Sequence, residues 1–392
     1  PNAPAVGTPQ EALDLLVGYR RSSNLPFCFK QLMGVLTKHD GSYLHLNFGS
    51  TPTLRLGDEL IPVGERVLSR EDCRTLIFGE LTPQRRDQLL AGQELNFLSS
   101  EGDYLFRFHV YLDRSCPALT LTRLSNVIPS LVELGLSGSA IEALVNEPAG
   151  LLLLTGPRDS GKSVTFNALI GHLNQKRPGR ILTIEDKIEY WHRNSENSLV
   201  QREVGIDTMS TLQALESAES LDVDILAVSD IPNRECFELL LQLASNKTLV
   251  VACIDAPHLL GGLARLLSAG GPDEARLRYT FTKSLRLAVG QIQVERVDGK
   301  GRVNAFEILE VGPQIADALY NGDLQSVSNL MREKGMQTMA KHLSRLVDVG
   351  LVNYEIASRY AEVSEIQQQN VTMASPGKPP DPDSSTSLMS WL

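Results

Sequence analysis

One short glycine-rich segment constrains the fold of this chain more than any other feature. It fits the pattern GxxxxGK[ST], follows an apolar run at residues 151–155 and precedes a helical pattern at residues 163–175. A loop between a buried strand and a helix can wrap its backbone N–H groups around phosphate. The segment consists of Gly156, Pro157, Arg158, Asp159, Ser160, Gly161, Lys162 and Ser163. We therefore predict a nucleotide site in which Lys162 reaches the β- and γ-phosphates and Ser163 places its hydroxyl on Mg²⁺.

The pattern from residue 150 onward is typical of a parallel α/β sheet. Apolar runs that predict buried strands alternate with segments of helical periodicity. The predicted strands cover residues 151–155, 181–185, 225–228 and 249–253, and the predicted helices cover residues 163–175, 209–221 and 233–245. A hairpin is predicted between residues 291–294 and 303–306, turning at residues 298–301. Residues 313–366 read as a more helical part.

The first part of the chain has a different pattern of apolar and polar residues. Short apolar runs alternate with turn signals, and residues 104–110 show the period of a β-strand. We expect helices at residues 10–19 and 70–91. At 392 residues and 43.0 kDa the chain is long enough for two domains. The predicted organisation is a flexible N-terminus (1–10), an α+β domain (11–128), a link (129–149), a P-loop core (150–312), a helical part (313–366) and a disordered tail (367–392).

Composition narrows the classes of function. A net charge of −10 and a sequence pI near 5.3 disfavour binding to nucleic acid or to anionic lipid. The 5 cysteines are scattered without a CxxC pair, which indicates reduced thiols. No HxxxH spacing suggests zinc, and no GxSxG suggests a serine hydrolase. The first ten residues carry no secretory signal and no apolar run approaches the length of a membrane span, so we expect a cytoplasmic protein that meets a membrane only through partners.

Several further segments resemble the PilT/PilU family of type IV pilus retraction ATPases, within the type II/IV secretion superfamily. They occur in the family's order and cover nearly the whole chain, at residues 44–46, 133–136, 181–189, 201–208, 298–302 and 335–338. The resemblance is strongest to the PilU branch. The four-cysteine zinc element of the pilus-assembly and secretion relatives is missing from this sequence, which also favours the retraction branch.

The resemblance implies a fold, a set of ligands and a set of partners. It implies an α/β protein with a RecA-like P-loop NTPase domain and a smaller PAS-like α+β N-terminal domain, and nucleotide held between the two. ATP and Mg²⁺ are the implied cofactors. The implied assembly is a hexamer, either homomeric or mixed with PilT/PilU-like subunits, that acts on an inner-membrane pilus platform protein. The protein would then be cytoplasmic, peripheral to the inner membrane, and would drive pilus disassembly and twitching motility.

The resemblance also assigns roles to residues. Asp230 falls at the catalytic position of the Walker B segment, and Glu185 with Asp186 falls in the family's acidic box. Mg²⁺ would be held by Ser163, Glu185 and Asp230. Arg114 and Arg123, in the N-terminal domain, match positions from which the family supplies positive charge to a neighbouring nucleotide.

Some positions depart from the family pattern and leave the level of hydrolysis open. The Walker B segment ends in Ser229-Asp230 where the family has Gly-Glu, and a shorter side chain withdraws the carboxylate by roughly 1 Å. The family's Thr-Leu-His box reads Cys253-Ile254-Asp255, and two family arginines are replaced by Glu216 and Ser220. Two hypotheses remain: an active retraction motor, or a nucleotide-binding accessory subunit with weak hydrolysis. Whether His258 replaces the missing histidine also stays open.

Overall fold

The computed structural model of the chain describes residues 29–38, 43–56, 59–102, 104–136, 138–193, 197–268 and 274–361. The chain divides into two compact units, Pro1–Asn126 and Val127–Leu392. The predictions for the segment 1–10, for the helix at 10–19 and for the tail at 367–392 lie outside the described residues. No helix within the described ranges is both long and apolar enough to cross a membrane.

The first unit is an antiparallel sheet with helices packed on it. Its six strands follow the order β3-β2-β1-β6-β5-β4. In chain order the elements are α1 (Phe29–Lys38), β1 (Tyr43–Leu46), β2 (Thr53–Leu56), β3 (Glu59–Pro62), α2 (Arg70–Gly79), α3 (Pro83–Leu90), β4 (Leu95–Glu101), β5 (Tyr104–Asp113) and β6 (Cys116–Arg123). Stacked rings of Phe29, Phe97 and Phe108 anchor the core, with the Phe97 and Phe108 centroids 4.9 Å apart.

The single helix predicted for residues 70–91 is wrong, because two helices occupy this stretch. Helix α2 begins with a capping box, in which the Ser69 side chain accepts from the Asp72 N–H and the Asp72 side chain accepts from the Ser69 N–H. It ends at Gly79, and α3 begins at Pro83 with Thr82 as its N-cap. Proline lacks an N–H and fits the first turn of a helix but not its interior. A new helix therefore begins at Pro83.

The second unit is a mainly parallel sheet. Its strands are β7 (Gly150–Gly156), β8 (Arg180–Glu185), β9 (Ser198–Glu203), β10 (Ile225–Val228), β11 (Leu249–Asp255), β12 (Leu285–Glu295) and β13 (Arg302–Glu310). The sheet order is β13-β12-β7-β11-β10-β8-β9. All neighbours pair in parallel except β12 and β13, which form the hairpin predicted from the sequence.

Helices cover both faces of this sheet. They are α4 (Ser139–Leu144), α5 (Lys162–Lys176), α6 (Thr211–Ala218), α7 (Arg234–Ser245), α8 (Leu259–Leu267), α9 (Glu274–Ser284), α10 (Pro313–Tyr320), α11 (Leu324–Glu333), α12 (Met339–Asp348) and α13 (Tyr354–Ala357). Successive residues of β7 point to opposite faces. Leu151 and Leu153 belong to one core cluster, whereas Leu152 and Leu154 belong to the other. A strand buried on both faces requires the continuous apolar run seen in the sequence.

Candidate phosphate-binding site

The GxxxxGK[ST] segment lies between β7 and α5, at the carboxyl end of a central strand. Its two glycines are required by the geometry. A Cβ on Gly156 would lie 2.4 Å from the backbone oxygen of Gln291, and a Cβ on Gly161 would lie 2.6 Å from Nε2 of Gln293. Gly161 also has φ +79°, in the left-handed region that glycine adopts without strain. The loop is therefore packed tightly against β12.

Gln291 braces this loop from β12. Its Nε2 donates a hydrogen bond to the carbonyl oxygen of Ser160 at 2.8 Å, and the residue is only 1% exposed. The Ser160 hydroxyl is buried in the same loop and has no hydrogen-bond partner among the described residues. Buried hydroxyls are normally paired, so an unpaired one at a phosphate loop fits a place completed by a ligand.

Lys162 begins α5 and turns back into the loop. Its Nζ donates to the carbonyl oxygens of Gly156 at 2.8 Å and Pro157 at 2.6 Å, and it lies 2.9 Å from Oδ1 of Asp255. The second oxygen of Asp255 lies 3.1 Å from Nε of Arg158. Burial favours protonation of Asp255, but hydrogen bonds from Lys162 and Arg158 outweigh it, and the net result is a lowered pKa for this carboxyl. Asp255 is therefore a carboxylate at neutral pH.

Glu185 is the last residue of β8 and is 2% exposed. Its Oε1 accepts hydrogen bonds from the Thr183 hydroxyl at 2.7 Å and from Nε2 of Gln201 at 3.0 Å. Burial raises the pKa of Glu185 to about 7, against the lowering effect of these two hydrogen bonds. A carboxyl with such a pKa can gain or lose a proton near neutral pH, as acid–base groups in active sites do.

A chain of hydrogen bonds links Glu185 to the first turn of α5. Gln201 donates to Glu185, and its Oε1 accepts from the backbone N–H of His192 at 3.0 Å. The His192 Nε2 lies 2.8 Å from Oδ1 of Asn167, whose Nδ2 donates to the Ser163 carbonyl oxygen at 2.9 Å. Asn167 and His192 are buried, and burial lowers the pKa of His192 to about 4. We call these side chains, Gln201, His192 and Asn167, the buried relay.

Asp230 lies just beyond the carboxyl end of β10 and is half-buried. Ser229, the residue before it, connects the end of β10 to β8 and to the loop that follows β8. Its hydroxyl accepts a hydrogen bond from the backbone N–H of Asp186 at 2.9 Å, and its own N–H donates to the Ile184 carbonyl oxygen at 3.0 Å. Burial raises the pKa of Asp230, and the nearby charges of Asp186 and Asp255 add to the effect. Three carboxyl groups therefore crowd the sheet edge next to the loop.

The parallel topology brings most of the predicted residues to one place. Strands β7, β11, β10 and β8 are neighbours in that order, and the candidates follow their carboxyl ends. The cluster comprises the loop from Gly156 to Ser163, Glu185, Asp186 and Asp230. Carboxyl ends of parallel strands are where such sheets bind ligands. The assignment of catalytic and metal roles within this cluster stays a prediction.

The two predicted arginines belong to the first unit. Arg114 lies in the turn between β5 and β6, with φ +50° and a side chain that is 79% exposed. Arg123 ends β6, where burial lowers the pKa of its guanidinium and its CZ lies 5.9 Å from the centroid of the Tyr104 ring. Their predicted role at a neighbouring nucleotide stays a prediction.

Sequence reasoning missed the groups that hold the site in shape. Gln291 was read only as part of a hairpin, although a glutamine inside an otherwise apolar run was a usable signal. The buried relay gave no such signal, because Asn167 and His192 are 25 residues apart and the three side chains meet only in the folded protein. Asp255 was noticed only as a departure from a family pattern, and its contact with Lys162 depends on the pairing of β11 with β7.

The site fits a phosphate ligand better than a protein-bound metal. The Ser160 hydroxyl is buried and unpaired among the described residues, the Lys162 ammonium faces the loop, and the two glycines let the loop pack closely against β12. Within the described residues, no group of three His, Cys, Asp or Glu side chains could hold a metal ion. Magnesium suits this arrangement, since it is usually bound by one or two protein oxygens together with substrate phosphates and water.

Comparison with known proteins places the chain in a family. Residues 120–370 match the family described as "Type II/IV secretion system protein". The type IV pilus ATPase PilU of Pseudomonas aeruginosa is 30% identical over 339 residues, which cover 85% of this chain and 88% of that protein. The type IV pilus retraction ATPase PilT of the same organism is 30% identical over 342 residues, covering 86% and 98%.

A solved structure gives the same result. The crystal structure of the pilus retraction motor PilT with bound ADP has a TM-score of 0.76 and 28% sequence identity, and it covers 86% of this chain and 98% of that one. The predicted fold class, a RecA-like P-loop domain with a smaller α+β N-terminal domain, is confirmed. The chain belongs to the type II/IV secretion system protein family and, within it, to the PilT/PilU pilus ATPases.

Proposed function

We propose that this chain is a PilU-like retraction motor subunit that binds Mg-ATP at residues 156–163 and couples ATP hydrolysis to pilus disassembly and twitching motility. The observation that carries the proposal is the loop itself, which its two glycines allow to pack closely against β12 and which presents a buried unpaired hydroxyl and the Lys162 ammonium. Lys162 would contact the β- and γ-phosphates, and Ser163, Glu185 and Asp230 would bind Mg²⁺ directly or through water.

Within this proposal the acidic residues have separate roles. Asp230 would orient the attacking water, and Glu185 would help to hold Mg²⁺ and, as a buried carboxyl whose pKa is raised to about 7, would also be able to carry a proton. Asp186 is exposed at the start of the following loop and can accept hydrogen bonds from water around the metal. ATP hydrolysis of this kind depends on positioning and charge stabilisation rather than on covalent chemistry.

The proposed assembly is a hexameric ring, either of this chain alone or mixed with other PilT/PilU-like subunits. Arg114 and Arg123 would supply positive charge to a nucleotide of a neighbouring subunit. The ring would act on an inner-membrane pilus platform protein from the cytoplasmic side, and would contact the membrane only through that partner. The proposed division of the chain into domains is the one predicted from the sequence, with the link at residues 129–149.

A second candidate function is a nucleotide-binding accessory subunit with weak hydrolysis. The shortened carboxylate of Asp230 favours it, because a displacement of about 1 Å at a catalytic group can lower the rate about 100-fold. Asp255 favours it as well, because an anion next to Lys162 replaces the histidine that the resemblance places at the nucleotide interface.

The test combines nucleotide binding and hydrolysis on the purified chain with Mg²⁺. Lys162→Ala is expected to abolish both, whereas Lys247→Ala is a matched control, because Lys247 forms an exposed pair with Asp222 and its side chain is 83% exposed. Fast turnover by the native chain supports the motor. Tight binding without turnover, with a gain of up to about 100-fold on Asp230→Glu, supports the accessory subunit. No measurable affinity for ATP or ADP would refute both.

A further inference from the structure

We propose that Asp255 limits the affinity of this site for nucleotide. Its carboxylate is paired with the Lys162 ammonium, and the incoming phosphates must displace it. The inference rests on the proposed function, since it assumes that a nucleotide binds at residues 156–163. It concerns a residue outside the phosphate loop and outside the set of acidic groups assigned to catalysis or metal binding.

The first argument is a count of donors. A lysine ammonium has three N–H groups and no acceptor. Three acceptors lie within hydrogen-bond distance of the Lys162 Nζ, namely the carbonyl oxygens of Gly156 and Pro157 and Oδ1 of Asp255. The Lys162 side chain is only 12% exposed, so little water reaches it. A phosphate oxygen can gain a full hydrogen bond from Lys162 only if one of these three is released.

The second argument identifies the group that leaves. The carbonyls of Gly156 and Pro157 belong to the backbone of the loop, and Ala256 N–H also donates to the Gly156 oxygen at 3.0 Å, so they cannot move without distorting the loop. Asp255 reaches Lys162 through a side chain that is 43% exposed and can rotate toward solvent. A carboxylate is also the group most similar to phosphate in charge and in hydrogen bonding.

The third argument is that strand pairing places Asp255 next to the loop. Strand β11 pairs in parallel with β7, and Asp255 stands opposite Gly156 in the register. Its backbone oxygen accepts a hydrogen bond from Nη1 of Arg265 at 3.0 Å, which fixes the end of the strand. Arg158 adds little to the hold, because its side chain is 90% exposed and exposed ion pairs are weak. Displacing the Asp255 carboxylate therefore costs chiefly its contact with Lys162. After it has been displaced, the carboxylate still lies close enough to the loop to repel phosphate.

The experiment measures the affinity of the purified full chain for ADP and for pyrophosphate by calorimetry. Asp255→Asn is expected to bind both about tenfold more tightly than the native chain, equivalent to about 1.4 kcal/mol. A gain with pyrophosphate, which has no base or ribose, assigns the effect to the phosphates. Asp298→Asn is the matched control, because Asp298 is also paired with an arginine and is 40% exposed, and its affinity should equal that of the native chain.

The sign of the change decides the result. If Asp255 only supports the structure, or helps Lys162 to meet phosphate, Asp255→Asn will bind equally or more weakly, and the inference is overturned while the proposed function stands. Asp255→Ala gives a second reading should the asparagine variant fold poorly, as judged by thermal unfolding. If neither the native chain nor any variant binds ADP, the proposed function and the inference fall together.

Discussion

His342 offers a stability measurement whose magnitude follows from the structure. It lies on α12 against the hairpin β12–β13, where its Nδ1 accepts a hydrogen bond from the backbone N–H of Phe306 at 2.8 Å. Nε2 of Gln337, a donor, lies 3.2 Å from the same nitrogen. The ring is 5% exposed and stacks on the Phe306 ring. A proton on Nδ1 would break the bond from the Phe306 N–H and place a charge in a buried site, and the Phe306 carbonyl oxygen, 3.3 Å from Nδ1, would offset this only in part.

The sign of the pH effect follows directly. Burial lowers the pKa of His342 from 6.5 to about 4; a hydrogen bond with the Phe306 backbone acts in the opposite direction, and repulsion from Arg345 adds to the lowering. The unfolded chain then binds more protons than the folded chain between these two values. The contribution of His342 is therefore complete above pH 6.5 and is lost as the pH falls toward 4. At pH 5 the loss in the free energy of unfolding amounts to about 2 kcal/mol.

The assay compares the native chain with His342→Gln, which keeps an acceptor and removes the ionisable ring. Urea unfolding at pH 8 and pH 5 should show that the native chain loses about 2 kcal/mol more than the variant. Taking the difference between the two proteins removes the contributions of other groups, including His192. The Phe306 amide should also exchange its hydrogen faster at pH 5 than intrinsic rates require. Equal losses in the two proteins would refute the idea that burial holds this ring neutral.

Three further outcomes are expected. Gly156→Ala should abolish ADP binding and lower the melting temperature, because the new Cβ would lie 2.4 Å from the Gln291 oxygen; calorimetry and thermal unfolding test this. Ser69→Ala should cost about 1 kcal/mol in urea unfolding, because it removes the side-chain bond to Asp72, and an unchanged midpoint would contradict the capping role. Cys253 should resist Ellman's reagent until the protein unfolds, because burial raises its thiol pKa; labelling in the native state, detected by mass spectrometry, would contradict this.

The sequence predicted those strands whose physical signal is local. Leu151 and its neighbours form a continuous apolar run, which is typical of a strand buried on both faces. This run is followed directly by the glycine-rich loop. Strand β9 was missed because it lies at the edge of the sheet and four of its six residues are polar. Helix periodicity also failed across Gly79 and Pro83, where capping residues rather than apolar spacing mark the break.

The same distinction between local and long-range signals applies to the candidate site. The loop could be predicted because one continuous segment makes it, and the acidic groups could be predicted because they follow strand ends. The contact of Asp255 with Lys162 could not, because it depends on which strands are neighbours, and β7 pairs with β11 across nearly a hundred residues. The side chains of the buried relay meet only after the sheet and α5 have packed.

The groups that position the loop and the Asp230 carboxylate proposed to act in hydrolysis occupy different parts of this site, so binding and hydrolysis would depend on different side chains. Gln291 and the buried relay hold the loop, the start of α5 and Glu185 through buried and partly buried hydrogen bonds. The backbone before Asp230 is fixed independently, through Ser229, to β8 and to the loop that follows it. Asp230→Glu therefore changes the reach of one carboxylate and leaves the framework unchanged. A site built in this way can keep its affinity for nucleotide while its rate varies with a single methylene group.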